Sequence, residues 1–159
     1  MCSKRKIKKA DMKKRRKLIS IGLAFFCLCA VVLHWRGGSA PMQRAASILQ
    51  SDMPAFSELA LEILDKGNSS GCSHPNVRQI TYFPECGYIE FLCGASGFVP
   101  SSSYYGFYYS ADAVPKGFQG VSIPLSADGI GWKWEDPNSS KCYYTEPVNA
   151  YWYLYEMHF

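Results

Sequence analysis

The sequence lacks the short motifs by which many enzymes are recognised. No C-x-x-C pair occurs in its 159 residues, so it has no thiol-exchange motif. Gly94-Ala95-Ser96-Gly97 is one residue short of the G-x-S-x-G elbow of serine hydrolases and is better explained as a turn. Cys72 and His74 have metal-binding side chains but lack the cysteine spacing of zinc sites. We therefore assign no catalytic residue and expect no cofactor and no metal.

An excess of basic charge is also missing from most of the chain. Residues 36–159 carry seven basic and twelve acidic groups, a net charge of −5, whereas residues 1–35 carry +9. Nucleic-acid-binding domains present clustered positive charge to the phosphate backbone. The acidic part of the chain therefore predicts that nucleic acid is not a partner.

Charged residues are absent from the 18 residues Leu18 to Trp35, which follow the basic cluster Lys13 to Lys17. A helix needs about 20 apolar residues to cross a bilayer, with about 17 tolerated, and basic residues favour the cytoplasmic side. We predict a basic cytoplasmic tail over residues 1–17 and a transmembrane helix, acting as a signal-anchor, over 18–35. The chain would then be a single-pass protein of the cell membrane, with the lipid bilayer as a partner and its C-terminal domain outside. A cleaved secretory signal is the alternative, although Pro41 would follow the cut after Ala40 unfavourably.

Over residues 36–71 the sequence predicts a helical segment followed by a flexible joint. Helix composition extends over 40–50, and Ser51-Asp52-Met53-Pro54 is typical of a new helix start. From Phe56 to Leu64 the apolar residues recur at helical spacing, which predicts an amphipathic helix that packs on the domain's own sheet or on a partner helix. Gly67 would end this helix.

Aromatic residues are scarce before position 82 and abundant after it. Phe56 is the single aromatic residue between positions 36 and 81, whereas 20 of the 78 residues from 82 to 159 are aromatic. Aromatic residues favour strands. We predict strands near 78–83, 88–93, 103–110, 120–125, 130–135, 141–146 and 150–159, with short, antiparallel connections. The predicted fold class is α+β, with an N-terminal transmembrane helix and an amphipathic helix followed by a mostly antiparallel, aromatic-rich β domain over 72–159.

Four cysteines fall in this extracytoplasmic domain, Cys72, Cys86, Cys93 and Cys142. An even number in an exported domain predicts two disulfides. A strand between Cys86 and Cys93 would hold them about 20 Å apart, too far for a bond. The remaining pairings are Cys72–Cys86 with Cys93–Cys142, which we favour, and Cys72–Cys93 with Cys86–Cys142.

Aromatic residues occupy both faces of several predicted strands. One face must be core, and the other is either core as well or an exposed surface that binds sugars or proteins. The candidate binding surface consists of Tyr105, Phe107, Tyr109, Trp132, Trp134, Tyr151, Tyr153 and Tyr155.

The segments Tyr104 to Tyr109, Gly131 to Trp134, Tyr144 to Glu146 and Trp152 to Glu156 give the chain a family resemblance. It resembles small uncharacterised single-pass, membrane-anchored proteins of Gram-positive bacteria. The resemblance implies a membrane anchor and carries no activity with it.

These observations favour a binding or interaction domain outside the cell over an enzyme. Its partner would be a glycan of the cell envelope or a membrane protein. One alternative is a membrane-anchored hydrolase of envelope polymers that uses Glu90 with Glu135 or Asp136 as a carboxylate pair. Another is a structural subunit of a membrane complex, with both aromatic faces buried.

Overall fold

The structure, a computed structural model, describes residues 39–98 and 101–159. Two helices come first in this part of the chain. Helix α1 spans Ala40–Ser51, and the hydroxyl of Ser39 caps it by accepting a hydrogen bond from the Met42 N–H at 3.3 Å. Helix α2 spans Met53–Lys66 and ends at Gly67, whose φ of 69° lies in the left-handed region that favours glycine. The predicted tail over 1–17 and the apolar run over 18–35 lie outside the described residues.

Seven antiparallel strands follow and form one sheet in the order β1-β2-β3-β7-β6-β5-β4. Two meanders, β1 to β3 and β4 to β7, meet where β3 pairs with β7, so the last strand lies in the middle of the sheet. The strands are β1 Gln79–Phe83, β2 Tyr88–Phe98, β3 Ser101–Ser110, β4 Ser126–Asp128, β5 Gly131–Glu135, β6 Cys142–Pro147 and β7 Trp152–His158.

The predicted fold class is wrong in its helical part. The prediction named a membrane helix and one amphipathic helix, whereas the described residues contain two short helices and one fully antiparallel sheet. Within residues 39–98 and 101–159, no helix combines the length and the apolar character needed to cross a bilayer. The cap at Ser39 and the proline in the first turn start α1 as a helix of its own, with Met42, Ala45 and Leu49 buried.

Side chains from both helices cover one face of the sheet, here called the helix face. Phe56 of α2 lies at the centre of this core, with its ring 4.8 Å from that of Phe107 and 5.5 Å from that of Phe91 in nearly perpendicular contacts. Ala60 and Ile63, one and two turns further along α2, are fully buried as the helical spacing predicts. The helix face is therefore closed within the chain itself.

A loop over residues 111–125 covers the opposite face, here called the loop face. The predicted strand over 120–125 is wrong, because this segment holds a short 3₁₀ turn, Phe118–Gly120, and no ladder partner. Phe118 is 6% exposed and packs its ring against those of Tyr104, Tyr155 and Phe159. The loop is thus anchored by an apolar side chain although it belongs to no regular element.

Tyrosine hydroxyls on the loop face bind the backbone of this loop. The Tyr88 hydroxyl donates to the Gly117 carbonyl at 3.0 Å and accepts from the Gly120 N–H at 2.7 Å. Three further tyrosines act in the same way, through Tyr108 with the Lys116 N–H, Tyr143 with the Lys116 carbonyl and Tyr153 with the Ala113 carbonyl. We call these four residues, Tyr88, Tyr108, Tyr143 and Tyr153, the tyrosine clasp. It supplies hydrogen bonds to loop backbone groups that are partly buried against the sheet.

The predicted disulfides are a further correction, because all four described cysteines are free thiols. Cys72 and Cys93 pack on the helix face, whereas Cys86 packs on the loop face, so the sheet separates Cys72 from Cys86. Cys93 on β2 and Cys142 on β6 are three strand spacings apart, about 14 Å, against the roughly 4.4–6.8 Å that a disulfide spans. Cys142 alternates with Tyr143 and so points to the helix face, away from Cys86.

The tyrosine clasp predicts an uneven response to removing single hydroxyl groups. Tyr88→Phe leaves both the Gly117 carbonyl and the Gly120 N–H without their partner, which should lower the free energy of unfolding by about 1–3 kcal/mol. Tyr104→Phe is the matched control, since Tyr104 packs on the same face and its hydroxyl has no hydrogen bond to another described residue, and it should change stability by less than about 0.5 kcal/mol. Denaturant unfolding of the two full-length variants measures both values. Equal values would contradict the clasp.

Candidate functional site

The structure divides the predicted aromatic surface between the two faces of the sheet. Tyr105, Phe107 and Tyr109 lie on the helix face, whereas Trp132, Trp134, Tyr153 and Tyr155 lie on the loop face. Phe107 and Tyr155 are fully buried and so cannot touch a ligand in this conformation. Tyr151, by contrast, precedes β7 and is 47% exposed.

Two members of the predicted surface, Tyr109 and Tyr151, do come together at the edge of the helix face. Their rings stack with centroids 5.8 Å apart and an angle of 22° between the planes. The Trp152 ring meets Tyr109 edge-on at 5.2 Å, which holds the inner ring in place. One ring of the pair is therefore fixed by packing while the other faces solvent.

The stacked pair forms one wall of an open recess of about 390 Å³ between α2 and the start of β7. We call it the tyrosine recess, and it is lined by Met53, Ser57, Leu61, Tyr109, Asn149, Ala150, Tyr151 and Trp152. None of these residues carries a charge. The wall opposite the tyrosines includes Leu61, which is 60% exposed on the outer side of α2.

Polar groups in the tyrosine recess retain hydrogen-bonding capacity. The Asn149 carbonyl oxygen accepts from the N–H groups of Tyr151 and Trp152 at 3.0 and 3.1 Å, which fixes the side chain and leaves its amide NH₂ with one weak contact, to the Met53 sulfur at 3.9 Å. The Ser57 hydroxyl donates to the Met53 carbonyl and can still accept. Neither the Tyr109 nor the Tyr151 hydroxyl is paired with another described residue. A ligand would meet donors and acceptors beside an aromatic ring.

Sequence reasoning identified the two tyrosines of the recess and missed Ser57 and Asn149. Asn149-Ala150-Tyr151 has the composition of a turn before a strand, and an asparagine whose oxygen binds the backbone two residues ahead is common there. The signal existed in the sequence, but it predicts a turn and carries no information about a ligand. What brings Ser57 to the site is the packing of α2 on the sheet.

The carboxylate pair proposed for a hydrolase is not assembled. Glu90 lies on β2 and Glu135 at the end of β5, four strand spacings away or about 19 Å, and Asp136 follows Glu135 in the turn. Glycosidase carboxylates stand roughly 5–9.5 Å apart. The structure therefore offers these residues no shared reaction centre.

Glu90 is instead a buried carboxyl, 5% exposed, on the loop face. It accepts a hydrogen bond from the Gln119 N–H at 3.3 Å, and the Tyr155 hydroxyl faces it without forming a hydrogen bond of normal geometry. Burial raises the pKa of Glu90 to about 7, against the lowering effect of the Gln119 N–H and the Tyr155 hydroxyl. Gln119 has a φ of 51°, which is unfavourable for a residue other than glycine, so Glu90 helps to hold a strained point of the loop.

The Glu90 pKa predicts a pH-dependent stability. Between pH 4.5 and about 7 the folded chain keeps a proton on Glu90 that the unfolded chain has released, so stability falls as the pH rises through this range and then levels off. Glu90→Gln should remove this loss, which amounts to roughly 3 kcal/mol. Urea unfolding of both chains from pH 4.5 to 8 gives the difference profile, with the exposed Glu135→Gln as control. A difference that stays constant with pH would contradict the assignment.

Comparisons with known proteins add no family to this picture. No protein-family model, no curated protein and no solved structure matches the chain.

Proposed function

We propose that this chain is a binding protein and that the tyrosine recess binds a neutral glycan. The observation that carries the proposal is the stacked Tyr109–Tyr151 pair beside an uncharged recess. The apolar face of a sugar ring packs on an aromatic ring, and its hydroxyl groups need both donors and acceptors nearby. The recess supplies the ring through Tyr151 and the polar groups through Asn149 and Ser57.

The absence of charge in the recess selects among ligands. An anionic ligand would need a cation to compensate for desolvation, and none of the lining residues is basic. A neutral sugar loses less hydration free energy than an anion on entering such a site. An apolar peptide side chain is the competing occupant, because Met53 and Leu61 would also suit it, but it would leave the free amide and phenol groups unused.

The proposal extends to where the domain lies and where its glycan comes from. The charge difference between residues 1–35 and 36–159 favours a position of the domain outside the cytoplasm, where a cell-envelope glycan is within reach. The four free thiols take away disulfide bonding as an argument for this location. The proposal for the ligand depends on the recess alone and does not require the location.

Titration of the full-length chain with a neutral probe, the trisaccharide of N-acetylglucosamine, tests the proposed site. We expect saturable binding by calorimetry that Tyr151→Ala weakens by roughly 1–2 kcal/mol, about five- to thirtyfold. Tyr151 is half exposed, so its removal should leave the fold intact. Phe98→Ala is the control, because Phe98 is 91% exposed and does not line the recess.

Binding that is equally strong in the Tyr151→Ala variant would place the sugar elsewhere and overturn the proposed site. Failure of this trisaccharide together with maltotriose and cellotriose, two neutral glycans of different linkage, would overturn the ligand class. Binding of an uncharged apolar peptide with the same dependence on Tyr151 would assign the recess to a protein partner instead.

A further inference from the structure

A row of polar side chains lies on the helix face near the start of β3 and the end of β7. The Ser103 hydroxyl forms a hydrogen bond of 2.8 Å with Nδ1 of His158, and Nε2 of His158 lies at an ion-pair distance of 3.2 Å from Oε1 of Glu156. The hydroxyl of Ser39, the cap of α1, donates to the other carboxylate oxygen of Glu156. Ser103 and His158 are directly opposite in the β3–β7 register, so the sheet itself sets their approach. The order is hydroxyl, imidazole, carboxylate.

The carboxylate is the most buried member of this row. The Glu156 side chain is 11% exposed, the His158 side chain is 43% exposed, and Ser103 is partly exposed. An activated serine needs this arrangement, because the carboxylate that orients the base is held in the interior while the hydroxyl reaches solvent.

The proton positions in this row follow from the Ser103 hydrogen bond and the charge of the carboxylate. An ionised Glu156 favours the proton of a neutral His158 on Nε2, the ring nitrogen nearest its charge. Nδ1 is then free to accept the proton of the Ser103 hydroxyl. In the serine-protease triad Nε2 faces the serine and Nδ1 faces the carboxylate. Here the two nitrogens are exchanged, but the imidazole still lies between a serine hydroxyl and a carboxylate.

Cys142 is the other nucleophilic side chain close to His158, which it faces across the β6–β7 register. Burial raises the pKa of the Cys142 thiol, and Lys133 offsets this only in part. The thiol is therefore held in its less reactive protonated form. Ser103 has the hydrogen bond to the base and Cys142 does not.

We propose that Ser103 is a nucleophilic serine, with His158 as its general base and Glu156 as the positioning residue, and that it accepts acyl groups from activated esters. Ser103 Oγ bonds to the ester carbonyl carbon as its proton passes to His158 Nδ1. The bond from that carbon to the leaving oxygen then breaks, and the departing alcohol takes the proton. Water, deprotonated by His158, releases the acyl group as a carboxylic acid and restores the Ser103 hydroxyl.

The position of Ser103 limits the esters it can attack. β3 is paired on both sides at this point, with Ser96 on β2 and His158 on β7, so the Ser103 N–H belongs to the sheet and cannot stabilise an oxyanion. The substrate class is consequently esters with good leaving groups, such as aryl esters, and excludes amides. The site lies about 20 Å from the tyrosine recess, at the other end of β7, and does not depend on glycan binding.

Labelling with a fluorophosphonate, which reacts with activated serines, tests the proposal on the full-length chain. We expect mass spectrometry to find the label on Ser103. His158→Gln should slow labelling about a hundredfold, and Ser103→Ala should abolish it. Ser102→Ala is the matched control, since Ser102 is the neighbouring serine on the opposite face of β3, and should label like the unchanged chain.

Aryl ester turnover gives a second readout. p-Nitrophenyl acetate should release nitrophenol in a burst that Ser103→Ala removes and Ser102→Ala keeps. Label on other serines but not on Ser103, or a burst that Ser103→Ala leaves unchanged, would overturn the proposal. The position of the label and the comparison of Ser103→Ala with Ser102→Ala decide the matter even if the His158 variant fails to fold.

Discussion

Hydrogen bonds from tyrosine hydroxyls to the loop over 111–125 are the contacts on which the loop face depends. The loop pairs with no strand, yet it covers a sheet face on which tyrosine rings and the Met157 side chain are buried. Backbone groups that the loop turns towards the sheet lose contact with water, and each one left without a hydrogen bond would lower stability. Tyrosine resolves this conflict because one side chain supplies both a ring for the core and a hydroxyl for the loop. Phenylalanine in the same positions would provide the first without the second.

The clasp also accounts for the aromatic residues on both sides of the sheet. The helix face uses Phe56, Phe91 and Phe107, whose partners are apolar helix side chains, so rings without hydroxyls suffice. The loop face uses tyrosine at the four clasp positions, where a backbone must be bound. Among the fully buried rings of β2 and β3, the helix face therefore has Phe91 and Phe107, whereas the loop face has Tyr88 and Tyr108. The other tyrosines on the helix face of β3, Tyr105 and Tyr109, are only partly buried. Burial keeps the clasp phenols un-ionised, since it raises the pKa of Tyr88, Tyr108, Tyr143 and Tyr153.

Much of the chain's local structure could be predicted from the sequence, because it depends on neighbours in the chain. The apolar spacing from Phe56 to Ile63 and the stop at Gly67 are of this kind. The turn predicted at Gly94 to Gly97 is wrong, because these residues continue β2 and pair with β3. The segment over 120–125 has strand composition but pairs with no strand, and the Gly120 N–H donates to the Tyr88 hydroxyl instead. The cysteines suggested disulfides, yet only the strand order shows that Cys93 and Cys142 lie on separated strands.

Prediction of the candidate sites failed where they depend on contacts between distant segments. Tyr109 and Tyr151 were identified as binding residues, whereas their stacking on each other, and the separation of Phe107 and Tyr155 from them, required the fold. The alignment of Ser103 with His158, 55 residues apart, is set by the β3–β7 register and leaves no trace in local composition. Glu90 appears from sequence as an ordinary carboxylate on a strand, and its burial under the loop is what changes its chemistry.

The central position of β7 has a consequence for how the domain is built during synthesis. The two meanders become one sheet through the β3–β7 ladder. A nascent chain that has not yet reached Trp152 therefore holds two partial sheets with no strand ladder between them. Pairings this distant in sequence are slow to form, because the entropy of closing a long loop is lost before the contact is gained. Until β7 inserts, the edge of β3 stays open to strands of other chains, a known route to aggregation. Assembly of this domain is therefore a late, single event governed by the arrival of one seven-residue strand.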